Sequence, residues 1–570
     1  FDESIIGKRV TDCMDDASKW YSKKSERAEH IHLLAESTLI PLLRRAVEER
    51  PRQWRLFKSA DLTLRHLNQL RLLGSIEQKV REMNEEANRF LLSDTQQLLH
   101  SLIKDSDSPF IFEKIGTQLE HVMIDEFQDT STVQWQNFKV LLQECMSHVD
   151  TENIIVGDVK QSIYRWRSGD WRLLNAIDRE FPHSDQLMDV LPLKTNYRSE
   201  RRIIDFNNAF FAEAARQEYE AQADEYPDGA EQLKHAYADV CQQVPEKRGS
   251  NGMVSITLLP QSGYQEQTLS LLAETVSTLQ QQGIPLGSMA ILGRTNNLIP
   301  LIADYFAENM PAVRIVSDEA FRLDASVSVT LLVQALHLLT HPDDTPAKAT
   351  VAKLYRRAVL GDTAAESELL IQGRPLDDLL PEAFTRQTAE LLQLPLYELT
   401  ERLYNIFQLQ RLDEQSAYIC AFYDQLNQFT QDNSTDIDAF IAEWEETISS
   451  KTIQSNIADG IRILSIHKSK GLEFRHVIIP FCDWRLEHAD TLWCQPREAP
   501  FDALPIAPID YSQKQMVGTI YEHDYLDEHL QNTVDNLNLL YVAFTRARQS
   551  LFVIGRRNAA HTRSALIERV

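Results

Sequence analysis

Long apolar runs and paired cysteines are both missing from this sequence of 570 residues. No apolar run approaches the roughly 20 residues that a membrane-spanning helix needs, which excludes a transmembrane role. The cysteines show no Cys-x-x-Cys spacing, a scatter that fits the reducing cytoplasm and argues against a disulfide framework, a zinc ribbon or an iron–sulfur cluster. They are Cys13, Cys145, Cys241, Cys420, Cys482 and Cys494.

The sequence also has few basic residues relative to its acidic residues. The chain has 58 Lys and Arg residues against 84 Asp and Glu residues, a formal net charge of −26. Such a balance is not that of an obvious nucleic-acid binder. Net charge governs solubility and long-range attraction, however, and a local groove can still be basic. Charge by itself therefore leaves the function open.

The hydrophobic pattern divides the chain into helical and α/β blocks. Residues 1–115 place leucines at helical spacing with charged residues between them. From residue 116 onward short apolar runs appear, each followed by a turn and a helical pattern, which predicts strands alternating with helices and a mainly parallel sheet. The runs are 121–124, 153–156, 253–258, 289–292, 461–466, 476–480 and 551–555.

Two further stretches complete the pattern. Between residues 335 and 455 the strand signal disappears, and an amphipathic helix is predicted from apolar residues that recur every three or four positions. These are Ile419, Phe422, Leu426 and Phe429. Residues 216–250 are acidic and rich in turn formers, which predicts an exposed excursion or linker. The order of blocks indicates an α/β core that carries helical insertions.

Residues 121–131, HVMIDEFQDTS, carry the strongest chemical signal. An apolar strand ends in Asp125 and Glu126, and open α/β sheets bind ligands at the carboxyl ends of their strands. The Asp125 carboxylate suits a magnesium ion that keeps much of its water shell. The Glu126 carboxylate suits polarising the water that attacks a γ-phosphate. A bare Asp-Glu pair is usually a solvated turn, but the preceding strand and the following Gln128-Asp129 favour a nucleotide site.

DEFQDTS resembles motif II of the UvrD/Rep-like helicases of superfamily 1, and further motifs follow in that family's order. Several matches in order over residues 121–548 are much more specific than one. The matching segments are IVGDVKQSIYRWRSGD (155–170, motif III), LKTNYRSERRI (193–203, motif IV), MAILGRTNN (289–297), RILSIHKSKGLEF (462–474, motif V) and LNLLYVAFTRAR (537–548, motif VI).

The resemblance implies an ATP site, with Mg²⁺ held by Asp125. Gln161 would sense the γ-phosphate or the attacking water, and Arg198 and Arg546 would bind the phosphoryl group during its transfer. Arginine suits this contact because its planar guanidinium engages phosphate oxygens in pairs. Outside the motifs, such an arginine is usually a solvated surface residue.

The same resemblance implies several lesser contacts. Tyr197 would stack on adenine, Glu473 would accept a hydrogen bond from the ribose, and Asp129 would line the nucleotide site. In motif V, His467 and Lys468 would contact the DNA backbone. A tyrosine beside a strand is usually part of a core, and a structural histidine is nearly as frequent as a ligand, so both alternatives stay open.

The segment 161–167, QSIYRWR, predicts contact with single-stranded DNA. Tyr164 and Trp166 would stack on bases, while Arg165 and Arg167 would follow the phosphates, the combination that single-strand binding requires. The alternative is that both rings pack in a domain core. Because the nucleotide sensor lies in the same segment, ATP state and grip on DNA would be coupled.

A motor of this family also needs a phosphate-binding loop of the form GxxxxGK[ST], and the sequence contains none. The only Gly-Lys pair, Gly7-Lys8, is followed by Arg9, and Asp2 stands where the first glycine should be. We therefore expect a fragment of a longer protein with motif I upstream, inactive as an ATPase by itself. The Asp…Glu/Asp-x-Lys cluster of a two-metal nuclease is missing too, so we expect any nuclease domain beyond Val570.

Finer similarities favour the RecB/AddA branch, whose members resemble the exonuclease V beta subunit. GDVKQSIYR (157–165) and YADVCQ (237–242) resemble AddA, and SIHKSKGLEF (465–474) resembles RecB. The predicted function is an ATP-dependent DNA helicase of recombination and repair, with 3′–5′ polarity implied by the resemblance. It would act in the bacterial cytoplasm, on single-stranded DNA and on junctions with duplex, beside a second helicase–nuclease subunit. The alternatives are a UvrD/PcrA-type repair helicase without a nuclease and an ATPase-dead DNA-binding relative.

The expected fold class is α/β, with two RecA-like parallel-sheet motor domains and large helical insertions. ATP would bind in the cleft between the motor domains, between Asp125, Glu126 and Gln161 on one wall and Arg198 and Arg546 on the other. The expected parts are 1–115, a helical (1B-like) insertion of the first motor domain; 116–190, the C-terminal half of that domain; 191–335 and 456–570, the second motor domain; and 336–455, its helical (2B-like) insertion.

Overall fold

The computed structural model describes residues 6–22, 24–86, 89–103, 119–146, 152–181, 183–317, 322–362, 375–412, 415–432, 436–451, 460–487 and 491–570. The α-helices are α1 (Lys8–Asp15), α2 (Ala28–Leu34), α3 (Ile40–Arg65), α4 (Leu67–Glu86), α5 (Leu92–Ile103), α6 (Thr132–Met146), α7 (Trp171–Asn175), α8 (Ser184–Leu187), α9 (Arg201–Gln222), α10 (Pro227–Ala236), α11 (Tyr264–Gln281), α12 (Leu298–Asn309), α13 (Val327–Thr340), α14 (Thr345–Leu354), α15 (Glu382–Arg386), α16 (Thr388–Leu391), α17 (Leu396–Ile406), α18 (Ser416–Asp432), α19 (Ile437–Glu446), α20 (Gln513–Met516), α21 (Glu522–Thr545) and α22 (Arg563–Arg569). The strands are β1 (Met123–Ile124), β2 (Ile154–Ile155), β3 (Met253–Leu259), β4 (Met289–Gly293), β5 (Ile315–Val316), β6 (Ile461–Ser465), β7 (Phe474–Ile479), β8 (Thr491–Cys494), β9 (Ala507–Asp510) and β10 (Ala547–Arg556). Among these helices, none has both the length and the apolar character needed to cross a membrane.

These elements fall into two compact units. The first comprises Phe1–Gly252, Asp483–Thr545 and Arg556–Val570, and the second comprises Met253–Cys482 and Arg546–Gly555. The first unit is therefore assembled from segments that are distant in the sequence. Its late segments include the antiparallel strand pair β8–β9 and the long helix α21.

A six-stranded sheet in the order β3-β10-β7-β4-β6-β5 forms the centre of the second unit. The neighbouring pairs from β10 to β5 run parallel. Strand β4 is buried along its whole length, as expected for a parallel strand that is covered on both faces. Apolar residues of β4, β6 and β7 pack with those of α11 and α12. The predicted parallel sheet is confirmed.

Helices α13 to α19 build a second hydrophobic core in the same unit. The apolar residues predicted to form one side of a helix are all buried on α18: Ile419, Phe422, Leu426 and Phe429. Within the described part of 336–455 the chain forms helices and no strand, as its pattern predicts. The equivalence of this stretch to a 2B-like insertion stays a prediction.

The first unit joins an N-terminal helical stretch to a short parallel strand pair. Helices α1 to α5 account for most of the described residues up to 103, as the leucine spacing predicts. Strands β1 and β2 pair in parallel, next to a small buried core of Phe127, Trp135, Leu142 and Phe181. The part of the predicted helical block at 104–115 lies outside the described residues.

The prediction of an exposed excursion or linker at 216–250 is wrong for residues 216–243. Residues 244–250 form no helix or strand. Helix α9 continues to Gln222, and α10 follows it after a short turn. Apolar residues of α10 and the turn after it are buried: Ala230, Leu233, Ala236, Tyr237 and Val240. Their spacing of three or four is that of a helix face, and the acidic residues occupy the exposed side.

The turn-forming residues of this stretch have helical roles instead. Pro227 stands at the start of α10, where a helix N–H has no partner within the helix and proline is well tolerated. Gly229 lets α10 pack closely, because a Cβ there would collide with the Tyr226 ring and lie 3.0 Å from Leu530 Cδ2. A stretch whose composition is typical of a linker therefore forms a closely packed helix.

Candidate nucleotide and single-strand sites

The predicted acidic pair follows one of two parallel strands that end side by side. Strand β1 leads into Asp125 and Glu126, and β2 leads into Asp158. The backbone N–H of Phe127 donates to the carbonyl of Val156 at 3.1 Å, which holds the two strand ends together. The candidate site therefore lies at the carboxyl edge of the pair, where α/β sheets bind ligands.

Glu126 has a left-handed backbone conformation, with φ of 53°. This region is uncommon for residues other than glycine, and such conformations cluster at functional sites. The Glu126 N–H donates to Asp125 Oδ1 at 2.9 Å, and Gln128 Nε2 donates to Glu126 Oε2 at 2.6 Å. Both acidic residues are exposed, so their carboxylates are oriented by the protein and accessible to a ligand.

Gln128 connects the two strand ends from a buried position. Its Oε1 accepts the backbone N–H of Asp158 at 3.0 Å, while its Nε2 contacts Glu126. A Cβ at Gly157 would lie 2.6 Å from Gln128 Oε1 and 2.8 Å from Leu174 Cδ2, so this close approach requires glycine. Sequence reasoning noted Gln128 but gave it no role, because its partner lies 30 residues away.

Gln161 ends the one-turn 3₁₀ helix that follows β2. Its Nε2 donates to Asp158 Oδ2 at 2.9 Å. The other carboxylate oxygen, Oδ1, accepts the backbone N–H of Lys160 at 3.1 Å and lies 2.8 Å from Lys160 Nζ. A continuous chain of hydrogen bonds through Gln128 and Asp158 therefore joins Glu126 to Gln161.

Lys160 is a buried cation that contacts the Asp158 carboxylate of this chain. Besides Asp158, its Nζ contacts Asp239 Oδ1 at 2.7 Å. Burial works to lower the pKa of Lys160, but the carboxylates of Asp158 and Asp239 outweigh burial and raise the pKa above its ordinary value. The lysine stays charged and holds the loop after β2. In the sequence, Lys160 had significance only as part of GDVKQSIYR, the segment that resembles AddA.

The loop that carries Tyr197 and Arg198 is fixed by polar contacts within the first unit. Asn196 Oδ1 accepts the backbone N–H of Arg198 at 2.9 Å, and the Arg248 guanidinium donates to the carbonyl of Tyr197. Arg198 Nη1 donates to the carbonyl of Thr545, the last residue of α21, at 3.4 Å. The Tyr197 side chain is 75% exposed, so it does not belong to a core.

The second unit holds two other predicted nucleotide contacts, Arg546 and Glu473. Arg546 is buried, and its Nη1 donates to the carbonyl of Leu472 at 3.0 Å. Glu473 is exposed, and its Oε1 accepts a hydrogen bond from Arg548 Nη1 at 2.9 Å. These contacts join motifs V and VI within this unit. Arg198, in contrast, belongs to the first unit.

Trp166 and Arg167 form an exposed aromatic and cationic surface beside the half-buried Tyr164. Trp166 is 64% exposed, so the alternative that it packs in a core does not hold. The Arg167 guanidinium lies 4.5 Å from the centroid of the Trp166 ring and 5.8 Å from that of Tyr164, within the range of a cation–π contact. The arrangement offers ring surface and positive charge side by side.

Arg165 has strong partners of its own within the first unit. Its guanidinium donates to Glu528 at 2.8 Å and to Asn532 at 2.9 Å, and it also pairs with Asp535, all on α21. Burial works to lower the pKa of Arg165, but Asp535 and Glu528 outweigh burial and raise it. Two carboxylates thus neutralise this charge already. The DNA contact predicted for Arg165 would compete with these ion pairs.

The remaining predicted residues lie in short turns after strands. Asp129 ends the 3₁₀ helix that follows Glu126 and is half-buried. His467 and Lys468 begin a 3₁₀ helix directly after β6. Lys468 is exposed and His467 is half-buried. Because β6 runs parallel to its neighbours, both residues lie at the carboxyl edge of the second unit's sheet.

The donor set at Asp125 fits magnesium bound together with a nucleotide. Across the described ranges, no group of three or more His, Cys, Asp or Glu side chains is arranged to hold a metal ion by itself. Magnesium in nucleotide sites commonly takes one or two carboxylates, phosphate oxygens and several waters. The exposed carboxylate of Asp125 at a strand end meets that requirement.

Two family models together match most of the chain. Residues 10–182 match the UvrD/REP helicase N-terminal domain, and residues 191–364 and 380–558 match the UvrD-like helicase C-terminal domain. The chain belongs to the UvrD/REP helicase family. The predicted resemblance is thereby confirmed, and so is the fold class, an α/β fold with two RecA-like motor domains.

Curated relatives of this UvrD/REP helicase chain are each named as one subunit of an ATP-dependent helicase/nuclease. The protein of Streptococcus thermophilus is 21% identical over 541 residues, which cover 83% of this chain and 42% of the relative. That of Streptococcus uberis is 22% identical over 556 residues, 83% and 44% of the two chains. That of Streptococcus agalactiae is 23% identical over 576 residues, 88% and 45%. The chain spans less than half the length of these relatives.

Proposed function

We propose that this chain is the motor of an ATP-dependent DNA helicase that forms part of a helicase–nuclease. The observation that carries the proposal is the hydrogen-bonded chain from Glu126 to Gln161 at the carboxyl edge of β1 and β2. An oriented carboxylate beside an oriented amide suits activation of a water and sensing of a γ-phosphate. Family membership supports ATP and DNA as ligands, and the relatives' names support the helicase–nuclease.

In the proposed reaction, Glu126 accepts a proton from the water that attacks the γ-phosphate. The Gln161 amide orients that water or the phosphate, and Arg198 and Arg546 neutralise the charge that develops during transfer. Mg²⁺ held by Asp125 would supply charge neutralisation at the phosphate oxygens. The positive φ at Glu126 and the hydrogen bond from Gln128 orient the carboxylate before ATP arrives.

Two exposed side chains would hold the nucleoside. Tyr197 offers a largely uncovered ring on which adenine would stack. Glu473 would accept a ribose hydroxyl in place of, or together with, its present donor Arg548. Asp129 would line the same site from the turn after Glu126.

Single-stranded DNA would bind along Trp166, Tyr164 and Arg167, with His467 and Lys468 contacting the backbone. Stacking on aromatic rings is independent of sequence, which suits a motor that moves along any strand. Gln161 and Tyr164 lie in one short segment, so a change at the γ-phosphate would reach the stacking surface directly. We propose 3′–5′ movement in the bacterial cytoplasm, together with a second subunit, since the relatives' names denote one subunit of the enzyme.

We infer that the phosphate-binding loop is supplied by residues outside these 570. One face of the β1–β2 pair is apolar and uncovered: Met123 is 79% exposed, and Ile154 and Val156 are exposed as well. Parallel strands of α/β domains are normally covered on both faces. An additional strand would pair beside β1 and β2, its helix would cover this face, and the loop between them would lie at the same carboxyl edge as Glu126.

Replacing Glu126 by Gln in a form of the protein that carries the phosphate-binding loop tests the proposal. We expect kcat for DNA-stimulated ATP hydrolysis to fall by about 10²- to 10⁴-fold, the usual contribution of a general base. Affinity for ATP and for single-stranded DNA should be retained, because the amide is isosteric. Glu152→Gln, at an exposed glutamate just before β2, is the matched control and should keep full turnover. An unchanged rate in Glu126→Gln would refute the role as base.

A further inference from the structure

The segment Tyr237–Gln243, YADVCQQ, belongs neither to the helix before it nor to any of the helicase motifs. It follows α10 and precedes β3, and it forms no strand of the sheets. Nevertheless its residues contact three different parts of the first unit: the loop after β2, the Arg198 loop and helix α21. We call this segment the clasp.

The first contact of the clasp reaches the predicted γ-phosphate sensor. Asp239 Oδ1 lies 2.7 Å from the buried Nζ of Lys160. Lys160 in turn contacts the Asp158 carboxylate at 2.8 Å, and that carboxylate accepts the hydrogen bond from Gln161. The Gln161 amide is therefore held by the Asp158 carboxylate. That carboxylate is in turn held by Lys160, which lies between Asp158 and Asp239.

The second contact reaches the Arg198 loop. Gln243 N–H donates to the carbonyl of Lys194 at 2.7 Å, and Asn196 N–H donates to the carbonyl of Gln243 at 3.0 Å, forming a parallel bridge. Asn196 Nδ2 also donates to Gln242 Oε1 at 2.7 Å. The same Asn196 side chain accepts the backbone N–H of Arg198. Gln242 therefore holds the Asn196 side chain, which in turn orients the backbone of Arg198.

The third contact reaches helix α21. Tyr237 Oη donates to Asn538 Oδ1 at 2.7 Å, and Gln242 Nε2 donates to Tyr541 Oη at 3.3 Å. Asn538 Nδ2 then donates to the carbonyls of Val159 and Ser162, each at 2.9 Å. These two carbonyls lie on either side of Gln161 in the chain, so the clasp and α21 hold the sensor loop from both directions.

We propose that the clasp is a positioning element, in which Asp239 and Gln242 set the orientation of Gln161 and Arg198 for ATP hydrolysis. The proposal rests on the proposed function, which assigns Gln161 and Arg198 their roles in ATP hydrolysis. Catalytic groups need placement within about 0.5 Å, which requires support from residues behind them. Asp239 is 63% exposed, so its carboxylate contributes little to burial of the core, and its contact with Lys160 serves mainly to place the loop.

Hydrogen exchange of the 570-residue chain tests the positioning role without ATP turnover. Asp239→Asn should speed exchange of backbone amides in 157–163, and Gln242→Leu should speed exchange in 194–199. Asp224→Asn, at an exposed aspartate after α9, removes the same charge and should change neither segment. Asp239→Glu, which keeps the carboxylate, should restore most of the protection. Unchanged exchange in Asp239→Asn and Gln242→Leu would overturn the proposal.

ATP kinetics in a form that carries the phosphate-binding loop supply the second readout. We expect Asp239→Asn to lower kcat by about threefold to tenfold, in the lower part of the range of coupling between contacting residues. KM for ATP and affinity for single-stranded DNA should stay unchanged, which a general loss of folding would not produce. A normal kcat despite faster exchange would overturn the catalytic role of the clasp. If the unsubstituted protein itself fails to hydrolyse ATP, the proposed function and that catalytic role fall together, while hydrogen exchange still decides whether the clasp positions the two loops.

Discussion

At the residue scale, the exposure of Trp166 asks for a functional explanation. A packed tryptophan buries on the order of 200 Å² of largely apolar surface, but this side chain is 64% exposed. The Arg167 guanidinium 4.5 Å from its ring centroid places a positive charge beside that surface. Ring and cation together meet the two requirements of single-strand binding, stacking on bases and attraction of phosphates.

We predict that Trp166→Ala weakens binding of an oligothymidylate to the 570-residue chain by about 1–3 kcal/mol, the usual contribution of one stacked base. The melting temperature should not change, because an exposed ring contributes little to packing. Fluorescence anisotropy at constant salt measures the affinity. Trp493→Ala, at an exposed tryptophan on β8, is the matched control and should bind normally. Unaltered binding by Trp166→Ala together with a lowered melting temperature would contradict the stacking role.

At the element scale, helix α21 organises the first unit. Most of its side chains from Leu530 to Thr545 are buried, which is unusual for a helix and shows that several elements surround it. Its polar side chains are engaged as well: Gln531 Oε1 accepts the Trp171 indole N–H at 2.7 Å, and Gln222 Nε2 donates to Thr533 at 3.1 Å. One helix therefore connects the loop after β2, the Trp166 turn and helices α9 and α10.

The approach of α10 to α21 depends on Gly229. A Cβ there would collide with the Tyr226 ring and lie 3.0 Å from Leu530 Cδ2. We therefore expect Gly229→Ala to lower the free energy of unfolding by about 1–3 kcal/mol, the usual cost of overpacking. Gly74 in α4 has no atom within 4 Å of its Cβ position, so Gly74→Ala should instead stabilise by about 0.5–1 kcal/mol. Urea denaturation followed by circular dichroism compares them, and a Gly229→Ala variant as stable as the parent would be inconsistent with this packing.

At the scale of the whole molecule, the predicted nucleotide contacts are divided between the two units. Asp125, Glu126 and Gln161 belong to the first, and Glu473 and Arg546 belong to the second. Neither unit contains the sequence of a phosphate-binding loop. In ATPases of this type the backbone amides and lysine of that loop hold the β- and γ-phosphates.

We therefore predict that the 570 residues alone bind single-stranded DNA but hydrolyse ATP only at background rate, because nothing in the sequence replaces the phosphate-binding loop. Phosphate release measured with and without oligothymidylate checks this, with a loop-carrying form of the protein as the positive comparison. A DNA-stimulated turnover of about 1 s⁻¹ or more, ordinary for an enzyme, would show that another part of the chain binds the phosphates.

Much of the fold and the family could be predicted from local patterns. The seven predicted apolar runs each overlap a strand, because strand and helix periodicities are set by residues that are neighbours in the sequence. The motifs identify the family for the same reason, since each is a short run. Strands β5, β8 and β9 were not predicted. The proposed domain boundaries and residue roles stay predictions.

The sequence by itself determined the fold class, the parallel sheet and the candidate residues at the strand ends. Only the tertiary structure decided which polar groups hold those residues. Lys160 meets Asp239 across 79 residues, and Arg165 meets Asp535 across 370. The tertiary structure also showed that much of the acidic stretch at 216–250, which was predicted to be a linker, forms helix α10 and the clasp. Such contacts depend on how buried faces pack throughout the unit, and a composition or a local period carries no information about them.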